Sequence, residues 1–452
     1  MGTAGPDTTT SMRRGRHRRE PRRIRSSTRH SLVASSTNLL NGLLNAALLA
    51  LSARHGQTDE IGAYVAVTAA LTLVSIAVAG GAPLLYISGD AAQRVAVRSQ
   101  WVFVTLPCMA LGTVAIGVLY SRSGYAWPTM LAIALVAVGN NTADFQLADL
   151  ARDLRFVSTA VAVCGCKIPA LVLVAAGGQL SAALLTAAAL QFLAAEAFLG
   201  RRSWLRPRTL SELSPRRALT AFRMNRHLFG YSVAEYWGGR MTAVLLSLLV
   251  TPPVMGAYGA VFSVYQAQTG VLTAALRVSL VGRVRRRQGL SHANDGRQGE
   301  RIAILGAMTI TAVSALAAPW IVGDLLRLPP HGPAMWLILL ALALPFMTVV
   351  RAVTLNQIGD ASYREATHVM VLNAALITPL ALAAVPLAGP AGAATATLAT
   401  EVLTGALLGL ALLRRHGRLS AWLLGPPGGS AAAPAVVAPE KVGAAAPGGL
   451  RG

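Results

Sequence analysis

The residues with most chemical potential here are ionisable side chains set inside long apolar runs. Arg240 follows Tyr231, Glu235, Trp237, Gly238 and Gly239; Lys167 stands beside Pro169; Glu401 lies in the last apolar run. Such groups are costly in hydrocarbon, so each is a functional candidate by default. An Arg offers a planar, always charged fork suited to phosphate. The alternative for Arg240 is a structural pair with Glu235 or Glu401, and the five-residue spacing from Glu235 does not favour a shared helix face. Lys167 is either a cavity cation or an internally paired one, and burial can lower a Lys pKa. Glu401 could pair with either cation or take up a coupling proton. Glu196 and Asp144 fall near helix ends, where the membrane interface accounts for them. Asn38, Asn41 and Asn45 are spaced three and four apart and share one helical face. That face should avoid lipid, either lining a cavity or bonding neighbouring helices. Gln266 and Gln268 point to different faces, so one alone should reach a cavity.

Twelve apolar runs must position these groups. They lie near 32–53, 61–87, 100–120, 127–147, 157–176, 180–200, 228–250, 254–276, 302–322, 333–352, 367–388 and 391–413. A run of ~18 or more apolar residues spans the hydrocarbon core as a helix. The chain is 54% hydrophobic and 13% charged, which excludes an ordinary soluble domain. Of its 40 Lys plus Arg, Arg54, Arg122 and Arg327 fall in odd-numbered gaps, and Lys167 and Arg240 fall inside spans. The rest lie in the two tails and the gaps after even-numbered spans, with Arg351, at the inner edge of span ten, grouped with the gap that follows it. Positive charge resists translocation, so both termini should face the cytoplasm, with the protein in the plasma membrane. The +22 net charge sits in short loops and a tail, which fits contact with anionic lipid and not a nucleic-acid partner. The basic residues are 38 Arg and 2 Lys, a bias that reads as coding composition and not as a binding code. Cys108, Cys164 and Cys166 lie within spans without neighbouring His, so they read as small apolar packing and no metal or cofactor is expected.

The organisation has five parts. Residues 1–31 form a basic tail with nine arginines; 32–200 hold six spans; 201–227 form an Arg- and Pro-rich linker; 228–415 hold six more spans; 416–452 are an Ala/Pro/Gly tail expected to be disordered. The apolar stretch after the first tail is too long for a cleaved signal and reads as a retained helix. The external gaps are very short, such as Gly177 to Gln179 and Thr251 to Pro253, so adjacent helices should form tight hairpins. The halves repeat. Gly62-Ala63-Tyr64-Val65-Ala66-Val67 opens span two, and Gly256-Ala257-Tyr258-Gly259-Ala260-Val261 opens span eight. Ile168-Pro169-Ala170-Leu171 is echoed by Ile377-Thr378-Pro379-Leu380, and Arg201-Arg202 by Arg414-Arg415. Six spans separate the units, so they run parallel, related by an axis along the membrane normal. The expected fold is all-α: a polytopic membrane protein with two six-helix lobes around a central cavity.

The stretch from His55-Gly56-Gln57-Thr58-Asp59-Glu60-Ile61-Gly62-Ala63-Tyr64 through Gly80-Gly81 resembles the amino end of polysaccharide exporters in the multidrug/oligosaccharidyl-lipid/polysaccharide (MOP) flippase superfamily. Gly389-Pro390-Ala391-Gly392-Ala393-Ala394, leading to Arg414-Arg415, is similar to their carboxyl ends. The resemblance covers roughly residues 32–415 and rests mostly on small residues in the right order. It implies a transporter and not an enzyme. Such a transporter moves a lipid-linked oligosaccharide, or another cell-envelope glycan precursor, from the inner to the outer leaflet by alternating access. The carrier would be a polyprenyl phosphate or diphosphate, whose head group would meet Arg240 and Lys167, with Glu235 and the three asparagines nearby and Glu401 as coupling candidate. Glycan polymerases or glycosyltransferases would be partners. There is no Walker A sequence, so the chain should not hydrolyse nucleotide. The chief alternative is a cation-coupled multidrug exporter of the same superfamily, whose members commonly place an acid in the first span; here that span has none. A membrane-embedded glycan polymerase or ligase would need a large external loop, and the longest, near Gly323 to Gly332, is small. A scaffold or scramblase is the remaining alternative.

Overall fold

The structure is a computed structural model describing residues 20–80, 91–152, 155–200, 204, 210–287, 295–359 and 363–416. The expected disordered tail, residues 1–19 of the basic tail, and most of 201–209 lie outside the described residues.

Every described element is helical, and the helices follow the apolar runs. In chain order they are α1 (Glu20–Arg54), α2 (Thr58–Ala79), α3 (Ala91–Gln100, Trp101–Thr105, Leu106–Ser121), α4 (Trp127–Arg152), α5 (Phe156–Ala160, Val161–Gly165, Lys167–Ala175) and α6 (Leu180–Leu199). The second half holds α7 (Pro215–Leu249), α8 (Pro252–Arg287), α9 (Asp295–Trp320, Ile321–Leu325), α10 (His331–Gly359), α11 (363–388) and α12 (390–416). The middle segments of α3 and α5 and the last segment of α9 are π-helical turns. Gly389, at φ 53° and ψ −127° between Pro386 and Pro390, separates the last two helices. The chain reverses there, because Asn373 Nδ2 on α11 meets Thr404 Oγ1 on α12 at 3.4 Å. A left-handed φ is open to Gly at little cost, which is why the turn can be so tight.

Seven described segments are long and apolar enough to cross a membrane, one of them covering both α11 and α12. Helix α1 has only a shorter apolar stretch, Leu39–Arg54, and helices α4, α7 and α8 also fall outside that set. Those three carry Asn140, Asn141 and Asp144, Glu235 and Arg240, and Gln266 and Gln268, groups that dilute hydropathy because they face the protein and not lipid.

Several helices outrun the apolar runs. Helix α7 begins at Pro215 and not near 228, α8 continues to Arg287, and α10 continues to Gly359. Ser214 caps α7, its hydroxyl accepting from the Arg217 N–H at 3.3 Å, with Pro215 at the first helical position. Helix α2 stops at Ala79, against an expected end near 87; residues 81–87 lie outside the described residues.

The repeated Gly-Ala-Tyr segments meet each other. Helices α2 and α8 cross at their N-terminal ends. A Cβ on Gly62 would strike the Pro252 carbonyl and stand 3.0 Å from the Gly256 nitrogen, while a Cβ on Gly256 would strike the Thr58 carbonyl. Gly259 approaches Val65 and Ile61 in the same crossing. Small residues let two backbones touch where neither lipid nor water drives association. Ile61, Val65, Tyr258 and Val261 join one buried apolar cluster here, so the halves are sealed together at this end. The neighbouring hairpins are tied to it. Gln57 Nε2 donates to the Gly178 carbonyl at 2.8 Å, and its Oε1 accepts from Leu180 N at 3.0 Å. Glu60 Oε2 accepts from Ser181 N at 2.6 Å. These side chains from the α1–α2 hairpin satisfy the free N–H groups that open α6.

Candidate functional site

Helix α7 divides the interior into two cavities. The larger, about 540 Å³, is walled by α2, α3, α4, α7 and α8; the smaller, about 410 Å³, by α7, α8, α10, α11 and α12. Glu235, Tyr236, Arg240, Phe262 and Gln266 line both. The cavities run toward the C-terminal ends of α2 and α8, away from the sealed crossing.

The repeat also sets the lining. Tyr64, Thr68, Thr72 and Ser75 descend one face of α2, and Phe262, Gln266 and Thr269 occupy the matching turns of α8 below Tyr258. Thr68 and Thr72 donate to carbonyls one turn back, at 2.5 Å to Tyr64 and 2.6 Å to Thr68, so their hydroxyls cost little inside the helix.

Arg240 is half-buried and faces both cavities, and among the described residues it has no hydrogen-bond or ion-pair partner. Gly239 beside it leaves open space. At Gly238 an added Cβ would stand 2.5 Å from Asn373 Oδ1, so Gly lets α7 approach α11 and brings Arg240 into place. Glu235 is not paired with Arg240. Its Oε1 accepts from Arg351 Nη1 at 2.5 Å, a charge-assisted bond in the wall of the smaller cavity. In sequence Arg351 stands at the edge of span ten and groups with the basic gap that follows. Because α10 continues to Gly359, it stands two turns inside the helix and projects into the protein. Glu401 lines the same cavity, close to Asn373, with one buried carboxylate oxygen unpartnered.

Lys167 follows the π-turn of α5 and lies outside both cavity walls. Its Nζ donates to Asn41 Oδ1, and to Asn45 Oδ1 at 2.5 Å. The structure therefore joins the α1 asparagine face to Lys167 and separates both from Arg240. The side chain of Asn38 lies outside the described residues. Gln266 faces the cavities, whereas Gln268 Nε2 donates to Ser314 Oγ at 2.7 Å. Asp144, read from sequence as an interface residue, is exposed into the larger cavity because α4 runs on to Arg152. Glu196 is buried and accepts from Gln146 Nε2 at 2.5 Å and from Trp204 N at 3.2 Å. Asp149 beside it takes Arg98 at 2.7 Å and the Trp204 indole at 3.2 Å, with the Arg98 guanidinium 5.0 Å above that ring. This cluster fastens Trp204 to the C-terminal ends of α4 and α6.

No protein-family model and no curated protein sequence matches this chain. Solved structures do. The chain is similar to the inward-facing conformation of a multidrug resistance MATE family transporter of the MOP superfamily. That match has a TM-score of 0.56 and 12% identity, over 86% of this chain and all of that one. It is similar to the lipid II flippase MurJ in an inward closed conformation, with a TM-score of 0.55 and 12% identity over 86% and 87% of the two chains. A eukaryotic MATE transporter aligns with a TM-score of 0.51 and 14% identity, over 89% and 97%. The protein therefore shares the all-helical fold of these three transporters.

Proposed function

We propose that the protein flips a lipid-linked oligosaccharide, or a related polysaccharide precursor, from the cytoplasmic to the outer leaflet by alternating access. The observation that carries this reading is Arg240: a permanent cation facing both cavities with no carboxylate on it, while Glu235 is held by Arg351. An uncompensated guanidinium in a cavity lined by polar groups attracts a phosphate ester. The phosphate or diphosphate of a polyprenyl carrier is the anion of this proposal. The glycan occupies the polar lumen, and the prenyl chain stays in lipid between lobes 32–200 and 228–415. Lys167, held by Asn41 and Asn45, supports the field from behind. Both termini are placed in the cytoplasm, with basic loops on anionic lipid. The α2–α8 crossing is then the closed external side, and rocking about it opens the opposite face. Glycan polymerase or glycosyltransferase partners would supply and consume the cargo.

Gene deletion tests the reading. Loss of one surface polysaccharide, with its lipid-linked precursor trapped on the inner leaflet, supports it; intact glycan with altered resistance to cationic drugs overturns it. That second outcome belongs to the other reading, cation-coupled multidrug export. The observation in its favour is the unpartnered oxygen of Glu401, beside the Glu235–Arg351 pair.

A further inference from the structure

The larger cavity carries opposite charges on facing walls. On α7 stands Arg240. On α4 stand Asn140, Asn141 and Asp144, with Asn140 and Asp144 one turn apart on a common face. Asp144 is exposed into the cavity and has no ion-pair or hydrogen-bond partner among the described residues. Asn140 likewise spends none of its capacity on protein. Asn141 uses one amide hydrogen on the Ala137 carbonyl at 2.8 Å, leaving its oxygen free. Tyr236 lies within electrostatic reach of both Asp144 and Arg240, yet these two do not pair. Lys167, the cation whose charge also reaches Asp144, gives donors to Asn41 and Asn45 and stays outside the cavity wall.

An unpaired cation and an unpaired carboxylate held apart in one cavity of ligand size fit a two-ended polar ligand. We infer, resting on the function proposed above, that the α4 wall reads the sugar joined to the carrier phosphate and takes an uncharged or amine-bearing sugar while rejecting one with a carboxylate. With the phosphate on Arg240, hydroxyl or ammonium donors meet the Asp144 carboxylate, and Asn140 and Asn141 supply both donors and acceptors. A uronic acid would instead set its carboxylate against Asp144 in a low-dielectric cavity, where like charges repel more strongly than in water. The discrimination thus comes from a repulsive element as well as an attractive one.

The test uses the full chain in lipid nanodiscs and four probes: farnesyl diphosphate, and its conjugates with glucose, glucosamine and glucuronic acid. The expected result is that the glucose and glucosamine conjugates bind about tenfold more tightly than the glucuronic acid conjugate, the scale of one partly screened like-charge contact. Asp144→Asn should bring that ratio close to one. Asn140→Asp, which adds a second carboxylate, should widen it. Equal affinity for the glucose and glucuronic acid conjugates in the unmodified protein, or a ratio that neither substitution moves, overturns the sugar reading while the phosphate role stands. No binding of farnesyl diphosphate itself overturns the proposed function, and this inference with it.

Discussion

Lys167 and Arg351 are both cations brought inside the protein by its fifth and tenth helices, but the two halves neutralise them differently. In the first half Lys167 is held by the amide oxygens of Asn41 and Asn45, neutral acceptors that stabilise a charge without cancelling it. In the second half Arg351 is bonded at 2.5 Å to Glu235, a formal charge that cancels it, and Glu401 adds another carboxylate nearby. The Lys167 cluster therefore has no carboxylate bonded to its cation, while the Arg351 cluster is balanced or acidic. Arg240 stands on α7, the first helix of the second half, in the wall that both cavities share. Two halves built on one repeat have acquired unlike electrostatics, the asymmetry needed if one side reads a ligand and the other answers a coupling ion.

The comparison can be broken most severely at Arg240. Arg240→Ala should lower glycan export in dependent cells by tenfold or more, the loss of one charge-assisted contact, and Arg240→Lys should cost less. Export unchanged in the Ala variant would leave the two halves with nothing between them to explain. Next in size is Glu235→Gln. It strands Arg351, and because the pair is partly exposed the loss should be about 1–2 kcal/mol and not the larger cost of a fully buried pair. Thermal unfolding in detergent measures it, and adding Arg351→Met should restore most of it. Lys167→Met should be milder, about 1 kcal/mol, because what it leaves behind are neutral amides. Equal losses for these two variants would erase the distinction between the halves. Smallest is Asn41→Asp, which turns the first cluster into a copy of the second. Stability should rise by less than about 1 kcal/mol, since desolvation offsets the new attraction. A marked drop would mean that Lys167 is uncharged in place.

The twelve helices were legible in sequence because hydrocarbon imposes length and apolarity on any helix that crosses it, although several helix ends were not. Arg240, Lys167, Glu235 and Glu401 were legible for the same reason, each breaking an apolar run. Their partners were not. Arg351 and Asp144 both sit where an apolar run gives out, and such residues read as interfacial. The helices carry on past those points, and nothing in hydropathy marks a charge that faces inward from one that faces a head group. The stripe of Tyr64, Thr68 and Thr72 was hidden differently: a Thr that bonds its own helix is nearly invisible to hydropathy. Its four-residue spacing, echoed at Tyr258, Phe262 and Gln266, was the signal that could have found it.

The reciprocal contact of Gly62 with Gly256 has the form of a homodimer interface drawn within one polypeptide. The same short segment supplies both surfaces, so each side is its own partner's template. Such self-complementarity has a genetic corollary. A bulky residue at Gly259 is opposed by the Val65 and Ile61 side chains of the other half, so its suppressors should arise at those two positions and not among residues adjacent in sequence.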